Sequence, residues 1–426
     1  MIRRARDLIL VVNSGSSSIK FAGYQSADLA LVFQGEMAGI GGPEETGQIL
    51  ITGSQGEIIC DQQAALNDIS AAAHRLVQWL KESGMLGRVR AVGHRIVHGG
   101  VSYQNATVAT SQVIKDLSRL VDRDPVHLPA EIKTVELFRD LLGRSVVHIL
   151  CFDTAFHRTI PVASRTYGLP LSVRRLGVQR FGFHGLSYQY VSQRLGELDR
   201  DATERKTVVA HLGSGASLCA MVRYGETARS IDTTMGFTPA GGLVMGQRSG
   251  DLDPGVLVYL ARTLGMDAHE MRRAVEFEGG LKGISQKTGD MKILLEGEAA
   301  GDKQCTLAIA VFCHHARRWI GAMAASLDGI DDLVFTGGIG EKSAVVRQRV
   351  MTGLGYLGLH MIEPRNKQVR EGLISSEISP KRVWVIPTNE QIVIAEAVQR
   401  VLEKGDQDDS TSESKRTIQA AIENSD

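Results

Sequence analysis

The chain has 426 residues, which at roughly 150 residues per domain implies two to three domains, two large ones being the expectation. Its 48 basic and 48 acidic residues cancel, so no whole-molecule field draws it onto nucleic acid or an anionic membrane, and its substrate must be recognised locally. Forty-six glycines suggest a loop-rich α/β protein, and five scattered cysteines, never spaced Cys-x-x-Cys, argue against a disulfide framework or a zinc site and for a reducing compartment.

From the amino terminus, the apolar run Leu8 to Val12 is broken by Asn13 and Ser14. It is too short for a signal peptide and far from the ~20 apolar residues of a spanning helix, so it reads as a strand in a soluble, cytoplasmic protein. Residues 8–21 and 207–220 share one design, an apolar strand, a Gly/Ser turn and a second strand. That pattern implies two related domains, each opening with a hairpin. In the first turn, Asn13 to Ser18, backbone N–H groups and hydroxyls can converge on an anion as a nest. An ordinary polar turn is the commoner use of such residues, but the recurrence at Gly213 to Ser217 favours phosphate. Leu66, Ile69, Ala73, Leu76 and Leu80 then line one face of a scaffold helix.

A strand over 89–97 places Arg95 and Val97 on one face and His94, Ile96 and His98 on the other. A cation beside a small aliphatic surface complements a carboxylate with a short tail, although a solvated strand end is the commoner fate of an arginine. The His94–His98 spacing matches the outer residues of a zinc-protease helix, but Arg95 stands where that motif needs Glu, so a metal role is rejected. The next strand, 145–152, puts Asp153 at its carboxyl end, where ligands gather in open α/β sheets. There it can orient a nucleophile or hold magnesium, or simply cap the next segment.

Further on, His184 stands in Phe-Gly-Phe-His-Gly, accessible to a transferring phosphoryl group, although a lone histidine is more often structural. The polar, glycine-punctuated stretches 232–239 and 246–254 read as a functional loop carrying Arg248. Two arginines on charge that develops in flight are what phosphoryl transfer requires. A strand over 332–336 ends in glycines that permit a nucleoside to approach before a helix at Glu341. After a strand over 382–387, a Thr-x-x-Gln capping box at Thr388 to Gln391 starts the final helix. Glu390 in its first turn either meets the helix dipole or completes a magnesium shell. The tail 404–426 is too polar to order and is expected to be mobile, with a short helix near 418–422.

Together these motifs resemble the acetate kinase family of the actin-like phosphotransferase superfamily. The resemblance rests on Asn-Ser-Gly-Ser-Ser-Ser at 13–18, Gly-His-Arg-Ile-Val-His-Gly-Gly at 93–100, Phe-Asp-Thr-Ala-Phe-His at 152–157 and Phe-Gly-Phe-His-Gly at 181–185. Asp-Thr-Thr-Met-Gly-Phe-Thr-Pro at 232–239 and Thr-Gly-Gly-Ile-Gly-Glu at 336–341 complete it. It implies an α/β chain of two actin-like (ribonuclease H-like) domains flanking a nucleotide cleft, the first spanning 1–152 with the final helix 386–403, the second 153–385.

The implied reaction is in-line transfer from ATP to acetate, with Mg²⁺ or Mn²⁺. Propionate or butyrate as acceptor, or a non-kinase actin-like ATPase, are the alternatives. By the same resemblance Arg95, Asp153, His184 and Arg248 are catalytic, with His184 and Arg248 stabilising the transition state, and His127 lies nearby. Val97, Val126, Phe183 and Pro239 line the acyl pocket, while Asn13 and Glu390 support the metal. The nucleotide falls to Ser16, Ser18, Lys20, His211, Gly213, Ser214, Gly215, Asp290, Met291, Lys292, Gly338, Ile339 and Gly340. Tyr188 stands where the family usually has His, Ser214 where it has Asn, and Lys292 where it has Arg. The partners implied are a small carboxylate, ATP and a second copy of the chain.

Overall fold

The computed structural model describes residues 6–15, 17–42, 47–200 and 204–404. Ser16, and the tail from residue 405 with its expected mobility and short helix, lie outside the described residues. The chain is α/β, and its described residues form two compact units, those up to Ala155 with 390–404, and Phe156–Asn389. Asp153 falls with the first unit because its carboxylate is tied to Arg95 there.

The first unit is built on eight strands: β1 (Leu8–Ser14), β2 (Ser18–Gln25), β3 (Leu31–Ala38), β4 (Gly47–Gly53), β5 (Ile58–Ala64), β6 (Val89–Ile96), β7 (Thr107–Val108) and β8 (Val147–Phe152). Their order in the sheet is β5-β4-β3-β2-β1-β6-β8-β7. Strands β1 to β5 pair antiparallel in sequence, whereas β1, β6 and β8 run parallel. In β1 Leu8 to Val12 are all buried, as in a strand covered on both faces, while β4 alternates between core and solvent. Helix Ile69–Glu82 packs Ala72, Ala73, Leu76 and Leu80 into the core that holds Phe21, Phe33 and Phe138. It starts where Asp68 accepts from the Ala71 N–H at 2.8 Å. Strand β6 stops one residue short of the expected Val97, because the Val97 N–H leaves the ladder and donates to the Glu131 carboxylate at 2.9 Å.

On β6 the side chains divide as the alternation requires. His94 is buried against His148, with Nε2 and Nδ1 2.9 Å apart. Burial pushes His98 and His148 down to about 4; Arg139 adds to this at His148, whereas at His98 Asp124 pulls upward. Unfolded, both titrate near 6.5. Between pH 6.5 and 4 the unfolded chain therefore binds protons that the fold refuses. Their stabilising contribution is complete above about pH 6.5 and is lost as pH falls through that window. Glu131, held above the ordinary carboxyl range by burial, acts in the opposite sense. In His148→Gln the slope of unfolding free energy against pH should be shallower across this window, by up to about 1.4 kcal/mol per pH unit. Urea titrations at stepped pH measure it, and an unchanged slope would contradict the assignment.

The second unit repeats the plan with β9 (Arg205–Leu212), β10 (Ala216–Tyr224), β11 (Thr227–Thr233), β12 (Asp332–Thr336), β13 (Gly372–Leu373) and β14 (Arg382–Val385), ordered β11-β10-β9-β12-β14-β13. Antiparallel strands again come first, three here against five in the first unit, and two parallel ones, β12 and β14, follow on the far side of β9. The hairpin repeat read from the sequence thus extends to whole sheets. At the start of β12 the fully buried Asp332 holds Arg205 at 2.6 Å and accepts from the Trp384 indole at 3.0 Å.

Two expected boundaries shift. The glycines after β12 are not a loop before a helix at Glu341, since helix Gly337–Lys342 begins at once. Glu341 Oε1 accepts from the N–H groups of Gly337 and Thr388. The final helix spans 390–404 and does not start from a Thr388 capping box. The Thr388 hydroxyl donates to Ser187 at 2.8 Å.

Candidate active site

In the first unit the parallel strands β1, β6 and β8 end side by side, with Val12 opposite His94 and Ile96 opposite Phe152. Their carboxyl ends therefore bring together Asn13, Arg95 and Asp153, residues far apart in sequence. Asp153 is fully buried and accepts from Arg95 Nε at 3.0 Å and Nη2 at 2.6 Å, a bidentate clamp. Arg95 Nη1 donates to Asn13 Oδ1 at 3.3 Å, and Asn13 Nδ2 donates to Glu390 Oε2 at 3.3 Å. Three of the five guanidinium N–H donors are thus directed, and the rest remain for an anion.

Burial alone would lower the Arg95 pKa, but the Asp153 and Glu390 carboxylates outweigh it and hold the group well above its ordinary value. Arg95 is a fixed positive charge. Burial raises the Glu390 carboxyl, against the pull of Arg95. Val97 is buried beside Arg95 in the chain, and Val126 and His127 are half-buried. His127 Nδ1 lies 2.9 Å from the buried Asp124 carboxylate, which orients its ring. Ser18 is half-buried at the start of β2, and the exposed Lys20 acts on Glu390.

In the second unit the β9–β10 turn, Gly213-Ser214-Gly215, is fastened to the Arg248 loop by the Gly246 N–H, which donates to the Ser214 carbonyl at 2.9 Å. Arg248 Nη1 donates to the Pro239 carbonyl at 3.3 Å. His184 precedes helix Gly185–Leu198 with φ of 57°, a left-handed conformation that few side chains adopt without a local reason. Its ring stacks on His211 at 4.2 Å, and its Nδ1 lies 2.8 Å from Ser217 Oγ.

A Cβ on Gly215 would lie 3.4 Å from His184 Nε2 and 3.8 Å from Arg248 Nη1. Both groups thus aim at one spot above the turn, and glycine keeps it open. Phe183 is buried, its carbonyl 3.0 Å from His157 Nε2.

The nucleotide candidates fall into the same unit. Gly289 lies so close to Gly246 that a Cβ would be 2.4 Å from the Gly246 carbonyl oxygen. This fixes the following Asp290, Met291 and Lys292 beside the Arg248 loop. Asp290 caps helix Met291–Ala299, accepting from the Lys292 N–H at 2.7 Å. Gly338, Ile339 and Gly340 form the start of helix Gly337–Lys342, held by Arg347, whose buried guanidinium donates to the Gly340 and Glu341 carbonyls at 2.8 Å.

Several contributors were missed from the sequence. Glu131 and Arg347 carried no motif of their own, Ser217 was read only as the end of the second Gly/Ser turn, and Tyr188 registered only as a departure from the family. The one available signal was the four-residue spacing of His184 and Tyr188, which the structure bridges with the Tyr188 N–H donating to the His184 carbonyl at 3.1 Å.

The model of the acetokinase family matches residues 8–396. An acetate kinase of Rhodopseudomonas palustris is 39% identical over 409 residues, covering 94% of this chain and 99% of that protein. Among solved structures, a propionate kinase from Francisella tularensis superposes with a TM-score of 0.84 at 30% identity, covering 92% of this chain and 98% of its own. An acetate kinase from Porphyromonas gingivalis superposes with a TM-score of 0.81 at 33% identity, covering 93% and 100%.

Proposed function

The chain belongs to the acetokinase family, and from that we propose that it transfers the γ-phosphoryl group of ATP to acetate, reversibly, giving acetyl phosphate and ADP. A carboxylate oxygen attacks the γ-phosphorus in line as the bond to the ADP oxygen breaks. Most of the acceleration then comes from positioning and from positive charge near the equatorial oxygens.

The observation that carries this reading is the aim of His184 Nε2 and Arg248 Nη1 at one spot over the Gly213-Ser214-Gly215 turn. The first unit contributes Arg95, whose charge is fixed and whose plane is set by Asp153. Arg95 binds the acceptor carboxylate, and Val97 and Val126 of the same unit offer apolar surface to its methyl group. Asp153, fully buried with both oxygens on Arg95, acts as a positioning residue.

Asn13 and Glu390 offer oxygen donors of the kind Mg²⁺ takes. Among the described residues no group of three or more His, Cys, Asp or Glu is placed to hold a metal alone. The fit is therefore to an ion bound mainly by nucleotide phosphates and water, with Glu390 and Asn13 as protein support. Such an ion neutralises phosphate charge when bound.

Two further readings belong here. Helix Pro254–Leu264 has no buried residue and exposes Val256, Leu257, Val258, Tyr259 and Leu264, which supports self-association as a homodimer. Five free thiols support a reducing cytoplasm, and among the described residues no helix is long and apolar enough to cross a membrane.

Trapping of acyl phosphate as hydroxamate tests the reaction, with ATP, GTP or pyrophosphate as donor and acetate, propionate or butyrate as acceptor. The expected result is ATP-dependent hydroxamate with kcat/KM highest for acetate. Propionate in first place would overturn the acceptor, and no hydroxamate with any pair would overturn the kinase.

A further inference from the structure

An imidazole that donates to a phosphoryl oxygen through Nε2 must carry its hydrogen there, and the tautomer is set by what Nδ1 meets. At His184 Nδ1 meets Ser217 Oγ at 2.8 Å. The Ser217 hydroxyl is fully buried and also makes a short contact with the Tyr188 hydroxyl. Tyr188 lies one helical turn after His184 and is packed among Val191, Leu195, Val209 and Met221. Its position is therefore set by the core.

A serine hydroxyl has one hydrogen to give and two lone pairs to receive with. Of the two hydroxyls the phenol is the stronger acid, so the short bond has Tyr188 donating and Ser217 accepting. The serine's single hydrogen then points at His184 Nδ1, and the two bonds polarise each other in one direction. On its face the His184 ring is braced by His211, whose Nδ1 is held 2.8 Å from Ser187 Oγ.

We propose that Tyr188 and Ser217 are positioning residues that fix His184 as its Nε2–H tautomer, aiming that hydrogen at the spot it shares with Arg248 Nη1. This rests on the phosphotransferase reading and adds how the histidine is prepared for it.

Nitrogen-15 NMR of histidine-labelled enzyme reads the tautomer directly, with the His184 signals identified by their loss in His184→Gln. The expected spectrum has an unprotonated Nδ1 and a protonated Nε2. In Ser217→Ala, kcat should fall by about 10- to 100-fold, with the KM values for acetate and ATP changed by less than about threefold. Ser217→Thr, which keeps a hydroxyl, should recover most of the loss, and Tyr188→Phe should fall between.

A protonated Nδ1 in the unaltered enzyme overturns the proposal, as does full kcat in Ser217→Ala. A parallel rise in KM and loss of fold without rescue by Thr would make the serine merely structural and equally overturn it. The spectrum needs no turnover. An Nε2–H tautomer in a chain that forms no acyl phosphate would sink the phosphotransferase reading while supporting the proton arrangement.

Discussion

Replacing Arg248 by alanine is expected to lower kcat by roughly 10³-fold or more, the scale on which an arginine meeting transition-state charge acts in phosphoryl transfer. That is about 4 kcal/mol of barrier. The backbone of the loop does not depend on the guanidinium. The Met245 N–H donates to the Arg248 carbonyl at 3.0 Å, the Leu281 N–H to the Met245 carbonyl at 2.8 Å, and the Lys282 N–H to the Gly246 carbonyl at 2.9 Å. Alanine preserves all three, so the folded state should survive and the loss should read the side chain. Arg248→Lys keeps a charge but not the planar fork, and should recover only part of the rate. Steady-state kinetics with acetate and ATP measure it, and turnover within about tenfold of the unaltered enzyme would remove Arg248 from the chemistry.

Arg95→Lys is expected to cost roughly 10²-fold or more in kcat/KM for acetate, from geometry more than from charge. The guanidinium gives Nε and Nη2 to Asp153 and Nη1 to Asn13 simultaneously. An ammonium cannot hold all of these and also face a carboxylate. Lysine is the informative variant because alanine would leave the fully buried Asp153 without its cation, a defect worth roughly 3–5 kcal/mol of stability. Asp153→Asn is the complement, since it preserves shape while weakening the clamp, and it should lower kcat while leaving KM for ATP nearly unchanged. If Arg95→Lys binds acetate and turns over normally, the carboxylate must be held elsewhere.

The sequence made the scaffold readable where local chemistry is strong. The strand at 332–336 lies as expected, because an apolar run bounded by polar residues and glycines has few other stable options. The helix after Asp68 was legible from the apolar spacing of Ile69, Ala73, Leu76 and Leu80, but Leu66, read as part of the same face, lies before its start. Readings failed at ends, where competition is settled by distant atoms. Val97 leaves its strand for Glu131, Gly337 enters a helix with Glu341 receiving its N–H, and the final helix begins at Glu390, two residues past Thr388, whose hydroxyl donates to Ser187.

From the sequence alone came the residue types at each candidate position, the two Gly/Ser hairpins and the family to which the motifs point, because these depend on neighbours within a few residues. Only the folded chain decided that Asp153 braces Arg95 across 58 positions, or that Tyr188 reaches His184 through Ser217. Such pairings follow from which parallel strands lie side by side and which helix face turns inward. Those outcomes are set by burying the whole core at once, so no local stretch of sequence encodes them.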